Sequence, residues 1–228
     1  MLGSLRKPDI WLWGATGKHP VARDYISIGF QSRCLRIFAD LVDRGFMKTG
    51  STGRKYVSYR YFLKGEKKGM ISCGIFKDSR DGVGREYPLV VSGYGMLSGW
   101  EERWETLPEA MANVCSEAEY ISSRKFASLD EFKIGLSRLG APSVIDGAGF
   151  SGKSGYSADI SGSGFIPLVP GDEDGMREQV SGYMAGLKKN DSSSPEAVFI
   201  GGTQEKSCLS IFRKPLDSDD VSGLLTYE

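Results

Sequence analysis

A lysine, a histidine and a carboxylate fall close together near the start of the chain, in Gly17-Lys18-His19-Pro20 and Asp24-Tyr25. A second stretch, Asp81-Gly82-Val83-Gly84-Arg85-Glu86-Tyr87-Pro88-Leu89, sets another carboxylate one helical turn's spacing before an arginine. Residues of these types suit phosphate binding, acid–base or nucleophilic catalysis, or ion pairing between loops. A phosphate loop of the form G-x-x-x-x-G-K-[ST] needs glycine where Leu12 stands and a hydroxyl where His19 stands. No helix begins directly after Lys18, so the helix dipole that would face a phosphate is missing as well. His19 oriented by Asp24 could serve as a base, but it would still need a nucleophile. The sequence contains no Gly-x-Ser-x-Gly turn to present one. Ion pairing fares better. The planar fork of Arg85 suits a carboxylate, and pairing with Asp24 would pin the first loop against the second. Such a pair could be structural, part of a partner-binding surface, or both.

The flanking elements must position these loops. Residues 10–13, Ile-Trp-Leu-Trp, read as a short buried strand ended by Gly14 and followed by a loop to Asp24. Cys34, Leu35, Ile37, Phe38, Leu41 and Val42 then recur on one face of a helix over 31–43, with Gly45 as its C-terminal cap. Residues 48–54 are polar and Gly-rich and read as a loop. Strands over 56–63 and 70–76 are joined by a hairpin loop at 64–69, and a third strand over 87–94 completes an antiparallel meander. Lys64, Lys67 and Lys68 make that hairpin tip basic, as solvated turns commonly are. Leu107, Ala110, Met111, Val114, Cys115 and Ala118 define a further helix, and Leu129, Phe132, Leu136 and Leu139 a shorter one stopped by Gly140 and Pro142. Trp100 and Trp104 share helical spacing, suiting either the core or an exposed anchor for a partner.

The stretch 146–164 turns to Gly and Ser without periodicity, as a mobile loop or a decayed element would. A strand over 165–169 follows, then a helix over 172–187 with an acidic start. Strands over 197–200 and 208–212 form a second hairpin, and a last helix is capped by Asp217 or Ser218 and runs to Leu225. Strands in hairpins with intervening helices predict an α+β chain, a mainly antiparallel sheet with helices packed on it. Residues 1–228 read as a single domain.

Composition narrows the functional classes. Lys plus Arg and Asp plus Glu each total 29, leaving no basic excess for nucleic acid or an anionic membrane. Cys34, Cys73, Cys115 and Cys208 are scattered and His19 is the sole histidine, so no ligand cluster for zinc is spelled out. Buried thiols in a reducing compartment are expected. No run of about 18 apolar residues is present to cross a membrane, and the polar residues 1–8 lack a signal core. A cytoplasmic, soluble protein is the expectation.

The two motifs together resemble those of the TagF/ImpM family of type VI secretion-associated accessory proteins. The family's Asp-x-Val-Gly-Arg-x-[Phe/Tyr]-Pro-Leu stands intact from Asp81 to Leu89, and its Gly-Lys-x-Pro-x-x-Gly-Asp-[Phe/Tyr] appears from Gly17 to Tyr25, with Arg23 in place of the usual glycine. The resemblance spans nearly the whole chain and is weakest across 146–164. It implies a longin- or profilin-like sandwich with helices flanking an antiparallel sheet, no enzymatic activity and no cofactor. It also implies a cytoplasmic regulator of type VI secretion, generally a post-translational repressor, whose partner is the forkhead-associated scaffold protein of that system. Lys18, Pro20, Asp24, Tyr25, Asp81, Arg85 and Tyr87 are the motif residues expected to form its shared surface. The alternative is a small-ligand or nucleotide-binding protein, or an enzyme, using the Gly17-Lys18-His19 loop.

Overall fold

Residues 10–50, 55–143 and 164–227 are described by the structure, a computed structural model. Eight strands form one sheet in the order β2-β1-β5-β4-β3-β7-β8-β6, with every neighbouring pair antiparallel. They are β1 Leu12–Gly17, β2 Ile26–Gly29, β3 Ser58–Lys64, β4 Met70–Lys77, β5 Leu89–Met96, β6 Gly164–Leu168, β7 Ala197–Gly202 and β8 Ser207–Phe212. Helices α1 (Arg33–Thr49) and α6 (Ser218–Leu225) cover one face. A 3-10 turn (Glu101–Thr106), α2 (Leu107–Ala110), α3 (Ala112–Ser123), α4 (Leu129–Ser137) and α5 (Glu173–Asn190) cover the other. The chain is therefore an α+β sandwich, as its alternation of hairpins and helical periods predicted.

Each face has its own core. Phe38 of α1 packs among Tyr61, Phe76 and Phe199, with ring centroids 5.0 to 5.8 Å apart. Trp100, Trp104, Met111 and Phe132 fill the opposite side and are all buried. Full burial of side chains this large stabilises the fold by roughly 2–3 kcal/mol each. The two tryptophans are thus core residues; Trp104 lies beneath Lys188 and Arg213, each 5.6 Å from the ring.

Several local expectations are corrected. The first strand does not span 10–13 and end at Gly14 but runs from Leu12 to Gly17, because residues 14–17 pair with β2 on one side and β5 on the other; a Cβ at Gly14 would lie 2.2 Å from the Phe30 carbonyl oxygen. That glycine serves close strand contact rather than a turn. The partner strand β2 has only four residues, too short for its alternation to register. Helix α1 continues past Asp43 and Gly45 to Thr49 and is capped by Gly50. Gly45 instead lets α6 approach, since a Cβ there would stand 2.9 Å from Val221 Cγ1. The single helix read through Leu107 and Ala118 is broken at Met111 into α2 and α3, with the 3-10 turn preceding it. At the basic hairpin tip, Lys64 and Lys68 form exposed ion pairs with Glu196 and Glu102. Three of the four thiols are buried and Cys34 is half-buried. The Gly/Ser-rich stretch 146–164 lies outside the described residues, except for Gly164.

Candidate functional site

The two motifs meet where β1 ends and β5 begins, because Gly17 pairs with Leu89 in the sheet. Gly17 has φ +120°, and a Cβ on it would stand 2.1 Å from the Pro88 carbonyl oxygen. Only glycine lets the backbones meet there without strain. The Lys18 backbone N–H then donates to the same oxygen at 3.4 Å. Backbone contact thus joins the glycine of the first motif to the proline of the second.

Asp81 organises the second loop. The backbone N–H groups of Val83 and Arg85 donate to its carboxylate at 3.1 and 2.9 Å, and Arg85 Nε donates at 2.7 Å. Lys18 Nζ reaches the same carboxylate at 3.3 Å, and the Asp81 side chain is wholly buried. Burial alone would raise the Asp81 pKa. The Arg85 backbone and guanidinium, the Val83 N–H and the Lys18 ammonium outweigh it and hold the group at about 2. Gly84, at φ +91°, supplies the left-handed residue that closes this turn. Gly82 donates to the Ala22 carbonyl at 2.6 Å, tying the loop directly to the first motif.

Arg85 spans the join. Its Nη2 donates to the Arg23 carbonyl at 2.6 Å and approaches Asp24 Oδ1 at 3.5 Å. The expected Asp24–Arg85 pairing is present, but it is the outer, exposed contact; Asp81 is the inner partner. No residue other than glycine has positive φ among the described residues, so Arg23 adopts ordinary backbone where the family motif has glycine. Its carbonyl serves Arg85 while its side chain is exposed.

Tyr25 and Tyr87 extend the network toward α1. Their rings meet edge-on at 5.5 Å, Tyr25 shares a 2.6 Å hydrogen bond with Thr16 Oγ1, and Tyr87 donates to Asp43 Oδ1 at 3.1 Å. Burial raises the Tyr87 pKa, and the nearby Asp43 carboxylate raises it further. The structure therefore brings Lys18, Asp24, Tyr25, Asp81, Arg85 and Tyr87 into one connected site, with Pro20 exposed on its rim. Thr16, Asp43 and the Arg23 carbonyl were missed. Asp43 carried no signal, since one acidic residue on an exposed helix face resembles any other.

His19 faces the other way. It is buried, stacked on Phe132 at 4.4 Å, and its Nδ1 accepts from the Val21 N–H at 3.1 Å. Burial lowers its pKa to about 4 and the Lys77 ammonium lowers it too, against a smaller opposing effect of the Ser122 backbone. The Lys18 ammonium is engaged by Asp81 with its side chain largely buried, and the His19 ring is buried. What remains accessible is a surface of mixed character, with Pro20, Arg23, Asp24, Tyr25, Val83 and Arg85 exposed. Such a surface, apolar at Val83 and Tyr25 and charged around them, suits contact with another protein. Among the described residues there is no cluster of three metal-ligating side chains, and no helix is long and apolar enough to cross a membrane.

No protein-family model matches the chain, and no curated protein matches it. Its fold is similar to the crystal structure of PA0076 from Pseudomonas aeruginosa PAO1, with a TM-score of 0.61 at 14% identity, covering 95% of this chain and 94% of that one. At that identity the likeness concerns the fold alone, an eight-stranded antiparallel sheet between helical layers.

Proposed function

We propose that this protein is a non-catalytic accessory protein of a type VI secretion system, of the TagF/ImpM kind, acting by protein–protein binding. Its role is post-translational repression of assembly or firing, exerted in the cytoplasm, and its partner is the forkhead-associated scaffold protein. One observation carries the reading. The residues that bear the motif resemblance, far apart in sequence, converge on a single network in which Arg85 contacts Asp81, Asp24 and the Arg23 carbonyl. A network that presents a rigid rim of Pro20, Asp24, Tyr25 and Val83 suits recognition of a protein surface. The alternative, a small ligand or nucleotide held by the Gly17-Lys18-His19 loop, is disfavoured because Asp81 engages Lys18 and Phe132 covers His19.

The test is a pull-down from host lysate with the wild type and folded Asp24→Ala and Arg85→Ala variants. Capture of the forkhead-associated scaffold by wild type and its loss in both variants supports the reading and assigns the surface. Capture by all three keeps the function and removes these residues from the interface. Absence of any type VI component from every lane rejects the proposal.

A further inference from the structure

A cavity of about 370 Å3 opens on the α3/α5 side of the sheet, above β3 and β7. Its origin lies in the spacing of the helices. Helix α3 rests on β4, whereas α5 packs beside β6, four strands further along. At ~4.8 Å per strand that interval is roughly 19 Å, about twice the 8–10 Å spacing of packed helices. The 3-10 turn packs against α5 and closes part of the interval. The rest is the cavity, and it is independent of the paired loops.

Its surfaces are mainly apolar. Phe62 and Ile200 form the floor, Ala112 and Cys115 line the α3 wall, and Met176 and Val180 line the α5 wall. Within this lining sits one polar device. Arg60 donates through Nε and Nη2 to the two Glu119 carboxylate oxygens, each at 2.8 Å, and Nη2 also reaches Ser116 Oγ at 3.2 Å. The remaining guanidinium nitrogen, Nη1, has no acceptor among the described residues. Glu173 and Arg177 also line the cavity, so its two cations are balanced by two carboxylates. An anion would have to compete with Glu119 for Arg60 in the presence of Glu173. A cation finds both carboxylates already neutralised.

We propose that this cavity is a binding site for a small uncharged molecule that combines an apolar ring or short branched chain with one carbonyl acceptor. The apolar body lies between Met176 and Ile200, and the carbonyl accepts from Arg60 Nη1. The size and the mostly apolar lining with few polar groups match those of small-molecule sites. This goes beyond the secretion reading and does not depend on it.

The experiment uses the full chain labelled at the methionine methyl groups with 13C, the Met176 resonance being identified by Met176→Leu. The probes are N-methylbenzamide, benzoate and toluene. N-methylbenzamide is expected to move the Met176 resonance at millimolar concentration, with benzoate at least tenfold weaker. The double variant Arg60→Met/Glu119→Gln, which leaves no lone charge behind, should weaken the amide about tenfold, to the level of toluene. Ala112→Phe, at the half-buried wall, should abolish the shift by filling the cavity; Ser58→Trp, at the exposed start of β3, serves the same purpose if Ala112→Phe does not fold. No Met176 shift up to the solubility limit of the amide overturns the site. So does a shift that persists unchanged in the filled variants. Benzoate binding more tightly than the amide overturns the assignment of an uncharged ligand.

Discussion

Lys18 and Asp81 come from different loops, yet the lysine ammonium stands 3.3 Å from the buried Asp81 carboxylate, while Arg85 Nε holds the same carboxylate at 2.7 Å. A carboxylate taken out of water is tolerated only when it is paired and hydrogen-bonded, and breaking such a set leaves its partners without a counter-charge. Asp24, on the outer side of Arg85, is exposed, and its pairing at 3.5 Å is that of a surface contact. Asp81→Ala is therefore expected to lower Tm by about 5–10 °C, whereas Asp24→Ala should change it by no more than about 2 °C. Thermal denaturation followed by circular dichroism measures both. Equal losses would contradict the division into inner and outer partners. The same contrast makes Asp24→Ala the cleaner probe of binding, since it alters the rim without loosening the loops.

Acid acts on this end of the molecule in two stages. His19 titrates near 6.5 when unfolded and at about 4 when folded, so between those values the unfolded chain holds the proton and the folded chain does not. Stability then rises with pH across that window, is complete above pH 6.5, and is lost as pH falls through about 4. The loss should amount to about 2 kcal/mol. Asp81, lowered from 3.8 to about 2, gives stability present above pH 3.8 and lost as pH drops toward 2. Urea midpoints measured at pH 7, 5.5, 4.5 and 3.5 should show the first stage in wild type and lack it in His19→Phe. An unchanged slope in the variant would assign that stage to other groups.

Gly17 and Gly84 both have positive φ but differ in what surrounds them. A Cβ at Gly17 would strike the Pro88 carbonyl oxygen at 2.1 Å, whereas one at Gly84 meets nothing within 4 Å. Gly84→Ala should cost about 1–2 kcal/mol, from backbone strain alone. Gly17→Ala adds a clash with backbone and should cost at least about 3 kcal/mol, separating the two motifs. Chemical denaturation of the two variants side by side tests the difference, and equal costs would mean that β1 and β5 can move apart freely.

Gly45 provides a third contrast, inside a helix. Alanine is intrinsically better there by up to about 1 kcal/mol. Its Cβ would nevertheless lie 2.9 Å from Val221 Cγ1 and 3.1 Å from the Ser222 nitrogen on α6. Gly45→Ala should therefore destabilise by about 1–2 kcal/mol rather than stabilise. A raised Tm in this variant would show that α6 can shift away without loss.

Local periodicity determined much of this protein by itself. The alternation over 56–63, the short turn-bounded apolar runs of β4, β7 and β8, and the helical spacing of Leu35, Phe38, Leu41 and Val42 predicted an antiparallel sheet covered by helices. These signals are legible because a strand or a helix buries a face that its own residues spell out. The acidic start of α5 and the cap at Asp217, whose side chain accepts from Asp219 and Asp220, belong to the same class of local cause. The convergence of Lys18, Asp24, Asp81 and Arg85 was legible only in part, as a pairing of Arg85 with Asp24. Tertiary structure alone decided that Asp81 is the inner partner, that Tyr87 reaches Asp43, that Gly14 and Gly45 serve close packing rather than turns, and that α3 and α5 stand far enough apart to leave a cavity. Burial and partnership depend on what distant segments bring to the same place, and no window of neighbouring residues contains that information.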